Sequence, residues 1–228
     1  MKFPLILLHG ALGSSSQFDS LKEKLLRNNQ VHSFNFAGHG GKAIPDQLLS
    51  IDMFTEEVLS FIEQHKLESV NIFGYSMGGY VAVNLAHKVP GKVKAIMTLA
   101  TKFDWSPESS LKEIAMLDVT KMEQKIPDFV RELNLLHVPN DWKLLVEKLV
   151  LLMKNLGENP IGNDAFKSIQ IPIRLLVGDN DKMVSVQSTY EVFKQFVHGS
   201  MVVLPDTLHP FEYVNQERLL FEISDFFK

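Results

Sequence analysis

The chain has 228 residues, a formal net charge of −4 and no cysteine. Its 45% hydrophobic and 22% charged residues are ordinary for one globular domain of this length. The absence of cysteine excludes a disulfide framework and a thiolate zinc site, and no basic stripe of the kind that binds a nucleic-acid backbone is present.

Six short apolar runs are predicted to form strands. Several of them are apolar at successive positions rather than at alternating ones. This pattern is typical of strands that are buried on both faces of a parallel sheet. The predicted strands are Pro4–His9, Val31–Phe36, Val70–Phe73, Lys94–Leu99, Ile171–Val177 and Met201–Leu204.

Helical patterns lie between these runs. The predicted helices are Gln17–Arg27, Met53–His65, Tyr80–Val89, Val186–Phe196 and Glu217–Phe227. Because strand and helix alternate, the sequence predicts an α/β fold with a mostly parallel, six-stranded sheet flanked by helices.

One stretch, about residues 105–167, contains no convincing strand. Ser106, Pro107 and Glu108 form a good helix start, and helices are predicted over Leu111–Asp118, Asp128–Leu136 and Asp141–Leu156. The last helix is apolar on almost every side, so it needs two apolar neighbours. We therefore predict a single domain, residues 1–228, with an inserted helical cap that lines a pocket. Ordinary core packing is the simpler alternative for any single one of these residues.

A glycine-rich turn at Gly74–Gly79 follows one predicted strand and precedes a helix. It contains Ser76 in the pattern G-x-S-x-G, the nucleophile elbow, in which a serine sits on a sharp and strained turn. The pattern arises by chance in roughly one chain in ten of this length, given the usual frequency of glycine. Its place between strand and helix makes Ser76 the candidate nucleophile, and an incidental serine in a tight turn is the alternative.

A second turn, His9–Gly13, ends the first predicted strand. In enzymes with this elbow, the loop after such a strand and the residue after the nucleophile each supply one backbone N–H to an oxyanion hole. We assign these donors to Ala11 and Met77. His9 is expected to order the loop by hydrogen bonding rather than to act as a base.

An acid and a base are expected later in the chain, in that order. Asp181 directly follows the predicted strand Ile171–Val177 and is our candidate acid, whereas Asp179 is expected to cap the turn. His209 follows the last predicted strand and is the candidate base. All three candidates follow the carboxyl ends of strands, the edge at which open α/β sheets bind ligands.

With these motifs in place, the chain resembles the α/β-hydrolase superfamily, in the group of small capped esterases. The resemblance covers nearly the whole chain. It rests on five features, namely His9-Gly10, the Gly-His-Gly loop at Asn35–Gly40, the elbow at Ser76, the Gly-x-x-Asp-x-x-Val form at Gly178–Val184, and the late His209. It implies the α/β-hydrolase fold with a helical lid after the family's sixth strand.

The chain departs from the family pattern at several points. It begins at the family's third strand, so the N-terminal antiparallel hairpin is expected to be absent. Asn35 replaces the usual Asp of the Gly-His-Gly loop, Lys42 replaces a small residue, and Leu208 precedes His209 where Gly is common. Some relatives carry the acid near Asp104, which is the second choice after Asp181.

The resemblance implies a hydrolase that cleaves a carboxylic ester or thioester of a small, apolar substrate through an acyl-enzyme on Ser76. No metal or organic cofactor is expected. Two alternatives stay open, namely lyase or C–C bond chemistry by the same triad, and a ligand-binding receptor with little turnover. Because no segment approaches a signal peptide or a membrane span, we expect a cytoplasmic protein with no membrane partner. The expected partner is a small ester-type substrate, with no nucleic acid. The chain is expected to be a monomer or homodimer.

Overall fold

The computed structural model describes residues 3–26 and 29–228. Six strands form one sheet in the order β2-β1-β3-β4-β5-β6. All five neighbouring pairs are parallel, as the continuous apolar runs predicted. The strands are β1 (Leu5–Leu8), β2 (Val31–Ser33), β3 (Val70–Tyr75), β4 (Val93–Leu99), β5 (Ile173–Gly178) and β6 (Gly199–Leu204).

Ten helices and two short 3-10 turns, Ser15–Phe18 and Phe211–Tyr213, complete the described fold. The helices are α1 (Asp19–Leu26), α2 (Ile51–Gln64), α3 (Met77–Lys88), α4 (Pro107–Met116), α5 (Val119–Lys125), α6 (Pro127–His137), α7 (Trp142–Glu158), α8 (Asn163–Ser168), α9 (Val186–Phe193) and α10 (Gln216–Phe226). The predicted end of the first helix, Arg27, lies outside the described residues. No helix among the described residues is long and apolar enough to cross a bilayer.

The sheet separates two apolar layers. Along β1, Ile6 and Leu8 pack into the layer formed with α2 and α3, whereas Leu5 and Leu7 pack into the layer formed with α1 and α10. Each of these side chains is fully buried, and burying one such side chain stabilises the fold by about 1.5–3 kcal/mol. Burial on both faces is why the run is apolar at every position.

Several predicted boundaries differ from those in the structure, and β2 and α3 are two examples. The strand predicted over Val31–Phe36 ends at Ser33, because the Asn35 side chain bonds other loops: its Oδ1 accepts from the Ser15 N–H at 2.7 Å and its Nδ2 donates to the Gly40 carbonyl at 3.0 Å. The helix predicted from Tyr80 already begins at Met77, so two glycines lie in its first turn.

Helices α4–α8 all lie between β4 and β5, in the stretch predicted to be a cap. The short helices α5 and α8 were not predicted. Helix α7 has the two predicted apolar neighbours: Leu145 packs into the layer on the sheet, and Trp142 packs with other cap residues. It also has a solvent-facing side, since Leu144 and Leu151 are 42% and 46% exposed. Some of the apolar side chains of this helix therefore face solvent, although the helix is apolar on almost every side.

Candidate active site

Ser76 lies in the turn between β3 and α3 with a backbone φ of 49°. A left-handed conformation is strained for a residue with a side chain, by about 1–3 kcal/mol. Hydrogen bonds hold its backbone on both sides: the Ser76 N–H donates to the Leu99 carbonyl at 2.8 Å, and the Thr101 hydroxyl donates to the Ser76 carbonyl at 2.9 Å. The Ser76 carbonyl also accepts from the first turn of α3, from the Gly79 N–H at 3.0 Å. The end of β4 thus fixes the turn that presents Ser76.

Glycines permit the close packing around this turn. A Cβ on Gly78 would lie 2.2 Å from the carbonyl oxygen of Leu8, and one on Gly178 would lie 2.1 Å from the carbonyl oxygen of Thr207. Any side chain at these positions would displace backbone. The first contact brings α3 against the end of β1, and the second brings the end of β5 against the loop that carries His209.

Ser76, His209 and Asp181 form a continuous chain of contacts. His209 Nε2 lies 3.4 Å from Ser76 Oγ, and His209 Nδ1 donates to Asp181 Oδ2 at 2.8 Å. The other carboxylate oxygen of Asp181 accepts from the N–H groups of Met183 and Val184, each at 2.8 Å. The Asp181 side chain is fully buried and that of His209 is 13% exposed. Asp181 is therefore held in place, and it fixes the tautomer that turns a lone pair of His209 toward Ser76.

Tyr75 supports the backbone of this histidine. Its hydroxyl donates to the His209 carbonyl at 3.0 Å. Burial raises the pKa of the Tyr75 phenol, so the hydroxyl keeps its proton and remains a donor. This residue was not singled out in the sequence, where it is only the variable position of the elbow motif.

The two other candidate acids lie in different surroundings. Asp179 accepts a hydrogen bond from the Thr207 N–H at 3.2 Å, which agrees with a turn-stabilising role. Asp104 has a side chain that is 45% exposed and lies 3.1 Å from Lys102 Nζ. Within the described residues neither carboxylate hydrogen-bonds to His209.

The two predicted oxyanion donors line the same cavity as Ser76 and His209. Among residues 3–26 and 29–228, the N–H groups of Ala11 and Met77 donate to no protein acceptor. Both groups are thus available to an oxygen that enters the cavity beside Ser76.

Three buried histidines lie behind the loop that carries Ala11. His9 donates from Nδ1 to the Gly10 carbonyl at 2.8 Å and accepts at Nε2 from the Phe36 N–H at 3.1 Å, so it orders the loop as predicted. Its ring centroid lies 5.0 Å from that of His39, which in turn lies 5.9 Å from that of His137. Across the described part of the chain, no group of three or more potential metal ligands is arranged to hold an ion.

Burial keeps these three histidines neutral. Desolvation lowers the pKa of His9 to about 4 and lowers the pKa values of His39 and His137 as well. His137, at the end of α6, accepts at Nδ1 from the Gly40 N–H at 3.0 Å and donates from Nε2 to the Leu12 carbonyl at 3.1 Å. Only the neutral ring makes both bonds, which join α6 to two loops of the sheet edge.

The cavity in front of Ser76 is narrow, about 50 Å³. Its wall is mainly apolar and includes residues of α4 and α7. Besides Ser76, His209, Ala11 and Met77, the lining residues are Ile51, Tyr80, Lys102, Trp105, Glu113, Leu152, Met153, Leu156, Met183 and Val184.

Sequence reasoning missed Lys102 and Glu113. On α4, Glu113 is 6% exposed whereas Leu111 is 66% exposed, so the helix buries the opposite face from the one that an apolar pattern predicts. No signal in the sequence alone indicated this inversion.

The fold and this geometry agree with the comparison to known families. The family model for the alpha/beta hydrolase fold matches residues 4–159. The chain belongs to the α/β-hydrolase fold family. The hydrolase fold predicted from the motifs is therefore confirmed.

Relatives of this chain differ in name and in extent of match. A "Probable alcohol acetyltransferase" of Cyberlindnera fabianii is 36% identical over 89 residues, 38% of this chain and 24% of that protein. "Putative esterase/lipase 3" of Mycoplasma pneumoniae is 26% identical over 206 residues, 86% of this chain and 75% of that protein. The matched segments span only 24%, 22% and 36% of the first three curated relatives.

Solved structures share this fold over nearly all of the chain. A thermophilic esterase from Thermogutta terrifontis superposes with a TM-score of 0.80 and 17% identity, covering 100% of this chain and 90% of that one. At this identity the likeness concerns the fold alone.

Proposed function

We propose that the protein is a serine hydrolase that cleaves a carboxylic ester or thioester of a small substrate through an acyl-enzyme on Ser76. One observation carries the proposal: Ser76 Oγ, His209 and the fully buried Asp181 form a chain of contacts at 3.4 and 2.8 Å. This chain opens into a cavity that has two free N–H groups in its wall. A hydroxyl activated in this way attacks an acyl carbon.

The first half of the reaction forms the acyl-enzyme. Ser76 Oγ bonds to the substrate carbonyl carbon while His209 Nε2 takes the hydroxyl proton. The carbonyl oxygen becomes an oxyanion, which the N–H groups of Ala11 and Met77 stabilise, and Asp181 stabilises the charged imidazole. When the C–O or C–S bond to the leaving group breaks, His209 returns the proton to the departing alcohol or thiol.

The second half repeats these steps with water. Water loses a proton to His209 and attacks the acyl carbon, and the acid leaves as Ser76 recovers its proton. The apolar and narrow cavity, about 50 Å³, favours a short apolar group beside the reacting carbonyl. The relative that matches over 75% of its length is named as an esterase/lipase, which supports ester bonds as the target.

Transfer of the acyl group to an alcohol is a second candidate. The relative that is 36% identical over 89 residues is named as an alcohol acetyltransferase. An alcohol that replaces water in the second half would give an ester with the same residues and no additional group. The lyase and receptor alternatives have no comparable support.

Hydrolysis of p-nitrophenyl esters from acetate to decanoate tests the proposal. We expect turnover by the wild type, an optimum at short acyl chains, and a loss to background in Ser76→Ala. The matched control is Ser60→Ala, on the exposed surface of α2, which should keep wild-type turnover. Added butanol separates the two candidates, because acyl transfer yields a butyl ester that gas chromatography detects. The proposal fails if the wild type turns over no ester, or if Ser76→Ala retains wild-type turnover.

A further inference from the structure

Glu113, on α4, is an unusual component of the cavity wall. Its side chain is only 8% exposed, yet it lines the same cavity as Ser76 and His209. Its nearest cation is Lys102 Nζ, 3.7 Å from Oε1, a distance beyond a hydrogen bond. No other described residue donates a hydrogen bond to this carboxylate.

A nearly buried carboxylate to which no protein group donates a hydrogen bond is costly unless the cavity that it lines supplies a donor. Lys102 compensates only part of the charge, because it also pairs with Asp104 at 3.1 Å. Burial raises the pKa of Glu113, because removal from water disfavours the charged carboxylate. The other polar side chains that line the cavity, Ser76, Tyr80 and His209, make no hydrogen bond to Glu113, so a donor to this carboxylate is left to come from the contents of the cavity.

The surroundings indicate the kind of donor. Lys102 already faces Glu113, and His209 becomes positively charged when it takes the Ser76 proton. A cationic substrate group would therefore meet two other cations in a narrow space. A neutral donor such as a hydroxyl avoids this repulsion and still gives the carboxylate a hydrogen bond.

We propose that Glu113 accepts a hydrogen bond from a hydroxyl group of the substrate, so that the site selects hydroxyl-bearing esters over unsubstituted esters of the same size. The inference rests on the proposed ester hydrolysis and adds a substrate class to it. The hydroxyl lies on whichever part of the ester, acyl or alcohol, occupies the side of the cavity formed by α4.

Two pairs of matched esters test both placements. On the alcohol side, 2-hydroxyethyl butyrate is compared with propyl butyrate. On the acyl side, ethyl 3-hydroxybutyrate is compared with ethyl 3-methylbutyrate. The readout is the ratio of kcat/KM within each pair for the wild type, Glu113→Met, Glu113→Gln and the control Glu108→Gln, whose side chain on the same helix is 83% exposed.

We expect the wild type to favour the hydroxyl member of one pair by about 10-fold or more, the usual size of a hydrogen bond to a charged group. Glu113→Met should lose this preference. Glu113→Gln should keep part of it, since its amide oxygen still accepts a neutral hydrogen bond. Glu108→Gln should match the wild type.

The ratio separates recognition from structural support. A purely structural Glu113 would lower both members of a pair by the same factor and leave the ratio unchanged, which overturns the inference. A wild type without preference in either pair overturns it too, and this holds even where Glu113→Met does not fold. If both esters of a pair are turned over without preference, the inference about Glu113 fails and the proposed function stands. If no ester is turned over, the proposed function and the inference both fail.

Discussion

The hydroxyl of Thr101 donates a hydrogen bond of 2.9 Å to the backbone carbonyl of Ser76. Thr101 is 3% exposed and lies just after β4, so the end of a neighbouring strand supports the left-handed residue that follows β3. The orientation of the proposed nucleophile therefore depends on a side chain that is distant from it in sequence.

Thr101→Val tests this support. Valine has a similar shape but removes the hydroxyl donor, so the Ser76 carbonyl keeps only the N–H groups of Gly79 and Tyr80, at 3.0 and 3.4 Å. Losing one hydrogen bond of this kind costs about 0.5–1.5 kcal/mol. We expect a loss of this size in the free energy of unfolding, measured in urea, together with a lower kcat. Thr101→Ser keeps a hydroxyl and should restore most of both; equal losses in the two variants would contradict a role for the hydrogen bond.

Asp181→Asn tests which acid serves His209. An amide cannot stabilise the charged imidazole and favours the wrong tautomer, so we expect kcat to fall by roughly 10³–10⁴. The matched controls are Asp179→Asn and Asp104→Asn, which alter the two other candidate acids and should keep kcat within a few-fold. A large loss in Asp104→Asn with little change in Asp181→Asn would reverse our assignment.

The buried histidines predict acid sensitivity. The pKa of His9 falls from 6.5 in the unfolded chain to about 4 in the fold. A lowered histidine pKa means that the unfolded chain binds the proton first. The stability that depends on neutral His9 is therefore complete above pH 6.5 and is lost as the pH falls from 6.5 toward 4. The loss is about 3 kcal/mol for this residue, and His39 and His137 add to it in the same direction.

Urea unfolding at a series of pH values measures this dependence. Below pH 6.5, the unfolding free energy of His9→Gln should depend less steeply on pH, by the amount that corresponds to about one bound proton. The variant is also expected to be less stable than the wild type at neutral pH. The exposed His198 provides the control, because His198→Gln should keep the wild-type slope. An unchanged slope in His9→Gln would contradict the burial of a neutral ring.

Gly78→Ala tests the contact between α3 and β1. The added methyl would lie 2.2 Å from the Leu8 carbonyl, so backbone must move, and we expect a loss of at least about 2 kcal/mol. Gly162→Ala is the control, since its methyl meets nothing within 4 Å. Because Gly162 is the N-cap of α8, we expect a loss of no more than about 1 kcal/mol. Thermal unfolding of both variants gives the comparison.

The sequence predicted the architecture well because burial on both faces leaves a continuous apolar run, as in β1. It also predicted the residues that the sheet edge brings together, since parallel strands carry Ser76, Asp181 and His209 to one end. Boundaries that depend on hydrogen bonds to residues distant in sequence were harder to predict. The early end of β2 goes with two hydrogen bonds of the Asn35 side chain, one accepted from the Ser15 N–H and one donated to the Gly40 carbonyl, which no local pattern reveals.

The composition of the cavity wall was the least predictable part. Glu113 and Lys102 have side chains of the kind that usually face solvent, yet both line the cavity. For Glu113, the packing of α4 on α7 sets which face of the helix is buried. The exposure of Leu111 shows the same effect in the other direction. Residue type predicts a helix here but not its rotation, because the rotation is set by neighbours that come from other parts of the chain.

The cavity draws its wall mainly from two sources, the loops at the sheet edge with the first turns of α2 and α3 that follow them, and the helices α4 and α7. Ser76 and His209 come from the first, whereas Glu113, Leu152 and Leu156 come from the second. A substitution on α4 or α7 therefore changes which molecules fit without moving the reacting groups. Over evolutionary time, such a chain is free to acquire new substrates through these helices while the inherited chemistry stays intact.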